Sequence, residues 1–156
     1  MRLLVLTRFF ERYEKLPCFK TKEFIFLGPW CLPKGKIKTK HEIIKNNWNN
    51  TIQRKKDFEE IWKLKNEVLE EIKPILNKIH KINLNQSQWD LIVGYWLYYI
   101  ITISYDRLSR IKNASKKIDY FISEKIYRKN TSLYFSNSDE SINAYKTDEW
   151  NSLFIE

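Results

Sequence analysis

The sequence predicts an α/β fold dominated by helices, with short parallel strands near the N-terminus followed by long helices. Short apolar segments rich in Val, Ile and Phe open the chain, and residues 51–113 carry apolar side chains every three or four positions. Only three Gly and four Pro occur, which excludes collagen-like and linker-like chains, and the 43% of hydrophobic residues suffices for a core. We therefore expect residues 1–156 to form a single domain or a fragment of a larger one.

Residues 1–33 form the predicted strand region. Leu3 to Thr7 and Glu23 to Leu27 are short apolar runs, and the second continues directly into Gly28 and Pro29. Both are typical of buried strands that end at a turn. Two strands alone make no stable sheet, so further strands are needed.

Residues 34–50 read as a basic surface loop or a short irregular helix. The net charge is +9, and residues 1–81 contain 19 basic against 10 acidic residues, whereas 82–156 contain nine of each. The excess is densest at Lys34, Lys36, Lys38 and Lys40. This run is compatible with an anion-binding or membrane-binding surface, or with a merely solvated surface in a Lys-rich, codon-biased chain.

Residues 51–113 are predicted to form long helices. The first covers about 51–81, with a kink or a break at Pro74 because proline lacks the N–H that the helix needs. Ser87 and Asp90 resemble a capping box before a second helix from Gln88 to Asn113. This helix is apolar on nearly all sides as far as Ile103, so we expect its first half to be buried and its second half to reach the surface.

Residues 114–156 are mixed. Tyr120 to Ile122 fits a short strand, Asn130 to Ser141 a loop, and Asp148 to Glu156 the opening of a helix. The sequence stops without a helix-ending signal, which favours a truncated C-terminus.

Several function classes are excluded or disfavoured by the sequence. The motifs GxGxxG, GxxxxGK[ST], HExxH, CxxC and GxSxG are all absent, and His41 and His80 lie far apart, so we expect neither a cofactor nor a metal site. The apolar run Leu91 to Tyr105 is too short to span a bilayer, and no signal peptide opens the chain. A cytoplasmic protein is expected. No recognisable nucleic-acid-binding motif accompanies the basic charge, which disfavours nucleic-acid binding.

Four segments resemble one family. They are Phe24 to Cys31 (FIFLGPWC), Leu76 to His80 (LNKIH), Ser87 to Leu97 (SQWDLIVGYWL) followed by Tyr105 to Leu108 (YDRL), and Asp148 to Asn151 (DEWN). The first three are similar to the FLGxWC, LNxxH and YWxxLxGxWL...DRY motifs of a transferase family encoded in bacterial surface-polysaccharide (O-antigen-type) gene clusters. The fourth resembles a family segment that opens a later helix.

The resemblance implies the N-terminal part of a glycosyltransferase-like enzyme with a larger Rossmann-like fold. Family members are longer and carry a second α/β region that resembles a nucleotide-sugar-binding half, which this sequence lacks, so an active transferase is not implied. Pro29 replaces a usually acidic residue and Gln88 an aromatic one. The implied partners are a glycan or lipid-linked acceptor and the missing C-terminal half, in cis or in trans. A non-catalytic peripheral-membrane or scaffolding module is the alternative, and a basic nucleic-acid-binding domain is the second alternative.

The motif residues also have physical interpretations of their own. Gly28 permits a turn with positive φ, Trp30 offers a flat face to a sugar or base, and Cys31 supplies a thiol, although Trp30 and Cys31 equally suit the core. Asn77 and His80 share a helical face, where His80 serves as a general base or simply caps the helix. Arg107 fits either a structural ion pair or a phosphate-binding or carboxylate-binding fork.

Overall fold

The computed structural model describes residues 2–8, 23–33, 35, 37, 40–118, 120–122, 137–145 and 147–151. Lys34, Lys36 and Lys38 of the basic run lie outside these residues. The strands are β1 (Arg2–Val5), β2 (Glu23–Phe26), β3 (His41–Ile43) and β4 (Tyr120–Ile122). The α-helices are α1 (Thr51–His80), α2 (Gln86–Ser115), α3 (Ser138–Ala144) and α4 (Asp148–Asn151), and short 3-10 helices cover Pro29–Cys31 and Asn47–Asn49.

The four strands form one parallel sheet in the order β3-β2-β1-β4. Strands β1 and β2 are buried from Leu3 to Val5 and from Phe24 to Phe26, without alternation. A continuous apolar run is what a parallel strand covered on both faces requires. The helix-dominated α/β class and strands β1, β2 and β4 are thus confirmed, with slightly shorter bounds for the first two.

The predicted loop or short irregular helix at 34–50 is wrong at residues 41–43, although a short 3-10 helix does cover Asn47–Asn49. Its residues His41–Ile43 form β3, which pairs with β2 at the edge of the sheet. The Asn-rich segment that follows caps two helices: Asn46 Oδ1 accepts from Trp48 N at 2.8 Å, and Asn50 Oδ1 accepts from Ile52 N and Gln53 N. Asparagine at an N-cap satisfies backbone donors that a helix start leaves unpaired.

The chain divides into two compact units. The sheet unit comprises residues 1–45 and 107–156, and the hairpin unit comprises residues 46–106. The core of the sheet unit is formed by β1, β2, Cys31, Ile44 and Ala114, with further apolar side chains packed around it. The core of the hairpin unit is formed by Leu69, Trp89 and Leu97.

Two details expected of the helices are wrong. Helix α1 runs on through Pro74, so the break, one of the two outcomes expected there beside a kink, does not occur. The capping box of α2 is formed by Asn85 and Gln88, not by Ser87 and Asp90: Asn85 Oδ1 accepts from Gln88 N at 3.0 Å and Gln88 Oε1 accepts from Asn85 N at 2.9 Å. Gln88, where the resembled family has an aromatic residue, therefore supplies the reciprocal cap.

The expected burial of α2 is also wrong. In its first half, Leu91 is 89% exposed and Tyr95 77%, and Trp96 is exposed although Trp89 is buried. In a hairpin of two helices, α1 can cover only one side of α2. In the second half, Arg110 and Ala114 are buried, so this half does not lie wholly at the surface.

The C-terminal expectations are partly confirmed. Helix α4 begins at Asp148 as predicted, whereas residues 152–156 lie outside the described part. Helix α3 begins at Ser138, inside the segment expected to be a loop. Asn137 caps α3 by accepting a hydrogen bond from Glu140 N at 2.9 Å.

Candidate functional site

Trp30 lies just beyond the carboxyl end of β2, in the 3-10 turn Pro29–Cys31. The expected positive φ at Gly28 is wrong, because its φ of −170° and ψ of 178° are extended. Glycine is required there for space: a Cβ on Gly28 would overlap the six-membered ring of the Trp30 indole. The indole therefore packs directly on the Gly28 backbone.

Arg107 stacks on the same indole. Its Cζ lies 3.3 Å from the centroid of the Trp30 ring, and its Nε donates to Asn151 Oδ1 at 2.9 Å. Asn151 is itself held by donating from Nδ2 to the carbonyl oxygens of Tyr145 and Thr147 at 3.2 and 2.7 Å. Three distant motif segments thus meet at one point of the sheet unit.

Two further arginines lie at the carboxyl edge of the sheet. Arg110 Nη1 donates to the carbonyl of Ile44, the residue after β3, at 2.7 Å, and its Cζ is 5.2 Å from the Trp30 ring. Arg8, three residues after β1, donates from Nε to Leu32 O at 3.2 Å. Open α/β sheets bind ligands outside the carboxyl ends of their strands, so this edge is the candidate site.

The indole nitrogen of Trp30 is buried and has no hydrogen-bond partner among the residues that the structure describes. A buried donor without an acceptor destabilises a protein by about 1–3 kcal/mol. An indole N–H can only donate, so an acceptor is needed to complete this position.

Cys31 lies in the core below this edge. It is 0% exposed, and its Sγ donates to Leu6 O at 3.1 Å. A buried thiol with a backbone acceptor behaves as a small apolar residue, so the geometry favours packing over substrate contact.

Asn77 connects the two helices of the hairpin unit. Its Oδ1 accepts from Trp89 Nε1 at 2.8 Å and from Leu84 N at 3.0 Å, and its Nδ2 donates to Leu84 O at 3.1 Å. His80 is exposed, and its ring centroid lies 5.6 Å from that of Trp89. The carboxamide of Asn77 is thus committed to contacts within the protein, and of the two predicted site residues His80 is the more exposed.

A comparison with protein-family models decides the family. The model described as LIC12162 family transferase matches residues 2–155. The chain belongs to this transferase family. No curated protein and no solved structure matches the chain.

In this family member, Lys40 is the described residue of the basic run. It is exposed, and its Nζ lies 2.5 Å from Glu23 Oε1. The hydrogen bond from Lys40, with its positive charge and a further bond from Arg2, lowers the pKa of the Glu23 carboxyl. The negative charge of Glu23 therefore partly cancels that of Lys40, so Lys40 attracts anions less strongly than an unpaired lysine would.

Sequence reasoning missed the buried carboxylate of Asp57. It accepts hydrogen bonds from Trp48 Nε1 at 3.0 Å, Gln53 Nε2 at 2.7 Å and the Tyr105 hydroxyl at 3.2 Å. The pKa of the Tyr105 hydroxyl is raised, mainly because the group is partly buried and next because it donates a hydrogen bond to Glu60 at 2.9 Å. Spacing along the sequence could have indicated its burial, because the buried residues of α1 recur every four positions. They are Asp57, Ile61, Lys65 and Leu69.

Within the described residues, no group of three or more His, Cys, Asp or Glu side chains is arranged to hold a metal ion. In the same part of the chain, no helix combines the length and apolar character needed to span a bilayer.

Proposed function

We propose that this chain is the acceptor-side part of a glycosyltransferase-like enzyme of bacterial cell-surface polysaccharide biosynthesis. Family membership supports transfer chemistry. The sugar and polysaccharide assignment is supported by the motif resemblance. The observation that carries the proposal is the position of Trp30, whose indole stacks with Arg107 beyond the carboxyl end of a central parallel strand.

The acceptor side is the better assignment for this chain because the 156 residues contain neither Gly-rich phosphate-binding motif. In our proposal the activated donor is held by the nucleotide-sugar-binding half that the resemblance implies, in cis or in trans. Trp30 and the Arg107 guanidinium stacked on it form the aromatic and positively charged part of this edge. His80, exposed at the end of α1, is the candidate general base in this proposal.

Gene deletion tests the transferase role. We expect deletion to change the sugar composition or chain length of the surface polysaccharide, measured by mass spectrometry and gel electrophoresis. Wild-type protein and a Trp62→Leu control at an exposed position of α1 should restore the profile, whereas Trp30→Leu, produced at the same level, should not. An unchanged polysaccharide after deletion contradicts the proposal.

Isothermal titration calorimetry tests whether donor binding is left to the other half of the enzyme. The 156-residue chain should show no micromolar affinity for nucleotide sugars. A clear micromolar signal would mean that this chain binds the donor itself.

An exposed apolar face favours a second candidate, peripheral attachment to the inner face of the cytoplasmic membrane. Leu91, Tyr95 and Trp96 are exposed on α2, and aromatic side chains of this kind favour a membrane interface. A basic run adds about 1 kcal/mol per Lys near an anionic surface. Sedimentation with anionic vesicles should fall when Lys34, Lys36, Lys38 and Lys40 become Ser and when Leu91 and Tyr95 become Ser. Unchanged sedimentation in both variants removes this candidate.

A further inference from the structure

We propose that the tip of the helical hairpin docks on an anionic phospholipid surface. The hairpin tip is defined as residues 72–85, where α1 ends at His80 and the chain turns before α2 begins at Gln86. It is a different surface from the Lys34 to Lys40 run and from the exposed face of α2, and the inference goes beyond the transferase role. It is carried by the apolar side chains, the charge and the fixed conformation of the tip.

Three exposed isoleucines make the hairpin tip apolar. Ile75 is 57% exposed, Ile79 is 66% exposed and Ile82 is 44% exposed. Ile75 and Ile79 are four residues apart on α1 and share one face of the helix, and Ile82 follows in the turn. Because apolar side chains favour leaving water, a group of isoleucines at the end of a hairpin indicates a surface that becomes covered.

The charge of the hairpin tip indicates what covers it. Residues 72–89 contain no Asp or Glu, but they contain Lys73, Lys78 and Lys81. Lys73 pairs with Glu70 at 2.6 Å. Lys78 and Lys81 are exposed, and their side chains form no ion pair among the residues that the structure describes. Lysines beside exposed apolar side chains are typical of segments that lie in the interface of an anionic membrane.

The acidic residues that border the hairpin tip leave its end positive. Asp90 pairs with Lys65 of the opposite helix. Glu71 is exposed and lies one helical turn before Ile75. Lys81 is ten residues further along the chain than Glu71, about 15 Å along the helix, which exceeds the Debye length of about 8 Å at physiological ionic strength.

The turn itself is held in one conformation. The carbonyl of Asn77 accepts hydrogen bonds from Lys81 N and Ile82 N, and its side chain bonds both backbone groups of Leu84. Side chains on a fixed turn lose less conformational entropy on binding than those on a flexible loop. The isoleucines can then enter the boundary between headgroups and acyl chains, to a depth of about 5–10 Å, while the lysine ammonium groups stay among the headgroups.

Sedimentation with vesicles tests the charge of the hairpin tip. The wild-type chain should sediment with vesicles of equal parts phosphatidylglycerol and phosphatidylcholine, and much less with phosphatidylcholine alone. Lys78→Glu combined with Lys81→Glu should weaken this binding about tenfold or more. Lys55→Glu combined with Lys56→Glu, the same change of charge on exposed residues at the start of α1, should weaken it by no more than about twofold. Equal effects of the two pairs contradict docking through the tip.

A second matched pair tests the apolar side chains. Ile79→Ser should weaken sedimentation with the anionic vesicles, whereas Ile52→Ser, at an 83% exposed position near the other end of α1, should not. Circular dichroism checks that both variants are folded. Equal binding by the two variants contradicts the insertion of Ile79.

A fluorescent label reports the position of the tip directly, without relying on a loss of binding. In a Cys18→Ser chain, Ile79→Cys carries an environment-sensitive label, and Ile52→Cys carries the same label as control. Cys31 is 0% exposed and should stay unlabelled. Anionic vesicles should shift the emission of the label to the blue at position 79 and not at position 52. No shift at position 79, or an equal shift at both positions, overturns the inference.

The inference and the earlier proposals fail separately. If the wild-type chain ignores anionic vesicles while gene deletion alters the polysaccharide, docking is wrong and the transferase role stands. If binding is lost only in the variants of the basic run or of Leu91 and Tyr95, attachment belongs to those surfaces and the tip is wrong. If the chain binds DNA in place of vesicles, and the Lys78 and Lys81 variant loses that binding, the occupant is a nucleic acid and the inference is overturned.

Discussion

The carboxamide oxygen of Asn77 on α1 accepts a 2.8 Å hydrogen bond from the indole N–H of Trp89 on α2. Both residues belong to motifs that suggested a substrate site, yet this contact stabilises the turn between the helices. The backbone carbonyl of Asn77 also accepts from the N–H groups of Lys81 and Ile82, and Lys81 takes a left-handed conformation with φ of 54°. Asn77 therefore organises the turn through its side chain and its backbone.

Replacement of Asn77 should therefore act on stability. Asn77→Ala leaves the buried Trp89 N–H and the Leu84 backbone groups without their partner, which should cost about 2–3 kcal/mol of unfolding free energy. Asn77→Asp retains the accepting oxygen and should cost less. Urea denaturation followed by circular dichroism measures both, and equal stability of wild type and Asn77→Ala would refute this role.

The ion pair between Lys65 and Asp90 should respond asymmetrically to mutation. Lys65 Nζ lies 2.5 Å from Asp90 Oδ1, but the Lys65 side chain is 2% exposed and that of Asp90 is 38% exposed. Asp90→Ala leaves the buried charge of Lys65 unpaired and should lower the free energy of unfolding by about 3–5 kcal/mol. Lys65→Met fills the same space with apolar atoms, so its free energy of unfolding should be within about 1 kcal/mol of wild type. Thermal or urea unfolding compares the two variants, and the reverse order of stability would contradict the argument.

The sequence predicted the elements whose own residues carry the pattern, such as an apolar run or helical spacing. Strands β1 and β2 are continuous apolar runs, and α1 has helical spacing. Strand β3 was missed because His41 and Glu42 are polar and exposed, and the strand exists through backbone pairing with β2 at the edge of the sheet.

The sequence did not reveal contacts that depend on distant partners. Nothing local shows that α1 buries Lys65 against Asp90, 25 residues away, or Asp57 against Tyr105, 48 residues away. Similarly, the motifs singled out Trp30 and Arg107, but only the fold stacks one on the other. Gly94 makes room for the ion pair of Lys65 and Asp90, because a Cβ at that position would overlap the Asp90 carboxylate.

The lowered pKa of Glu23 should make the free energy of unfolding depend on pH. Its pKa is lowered by Lys40 and Arg2, so its contribution is present above the unfolded-state pKa, near 4.5, and is lost as pH falls through the lower folded-state pKa. Glu23→Gln should flatten the fall in unfolding free energy between about pH 5 and pH 3, with the exposed Glu59→Gln as control. Urea denaturation across this range gives the slope, and the difference should shrink in high salt because the pair is exposed. A Glu23→Gln slope identical to that of wild type would contradict this linkage.

The final prediction concerns the thiol of Cys31. Because Cys31 is 0% exposed and donates to Leu6 O, it should not react with Ellman's reagent in the folded protein. The experiment uses Cys18→Ser, which leaves Cys31 as the sole cysteine, and compares native protein with protein in denaturing urea. We expect one thiol per chain in urea and a reaction at least about a hundredfold slower without it, since the thiol becomes accessible only through unfolding. Rapid reaction of the native chain would place the thiol within reach of solvent and return Cys31 to the candidate site beside Trp30.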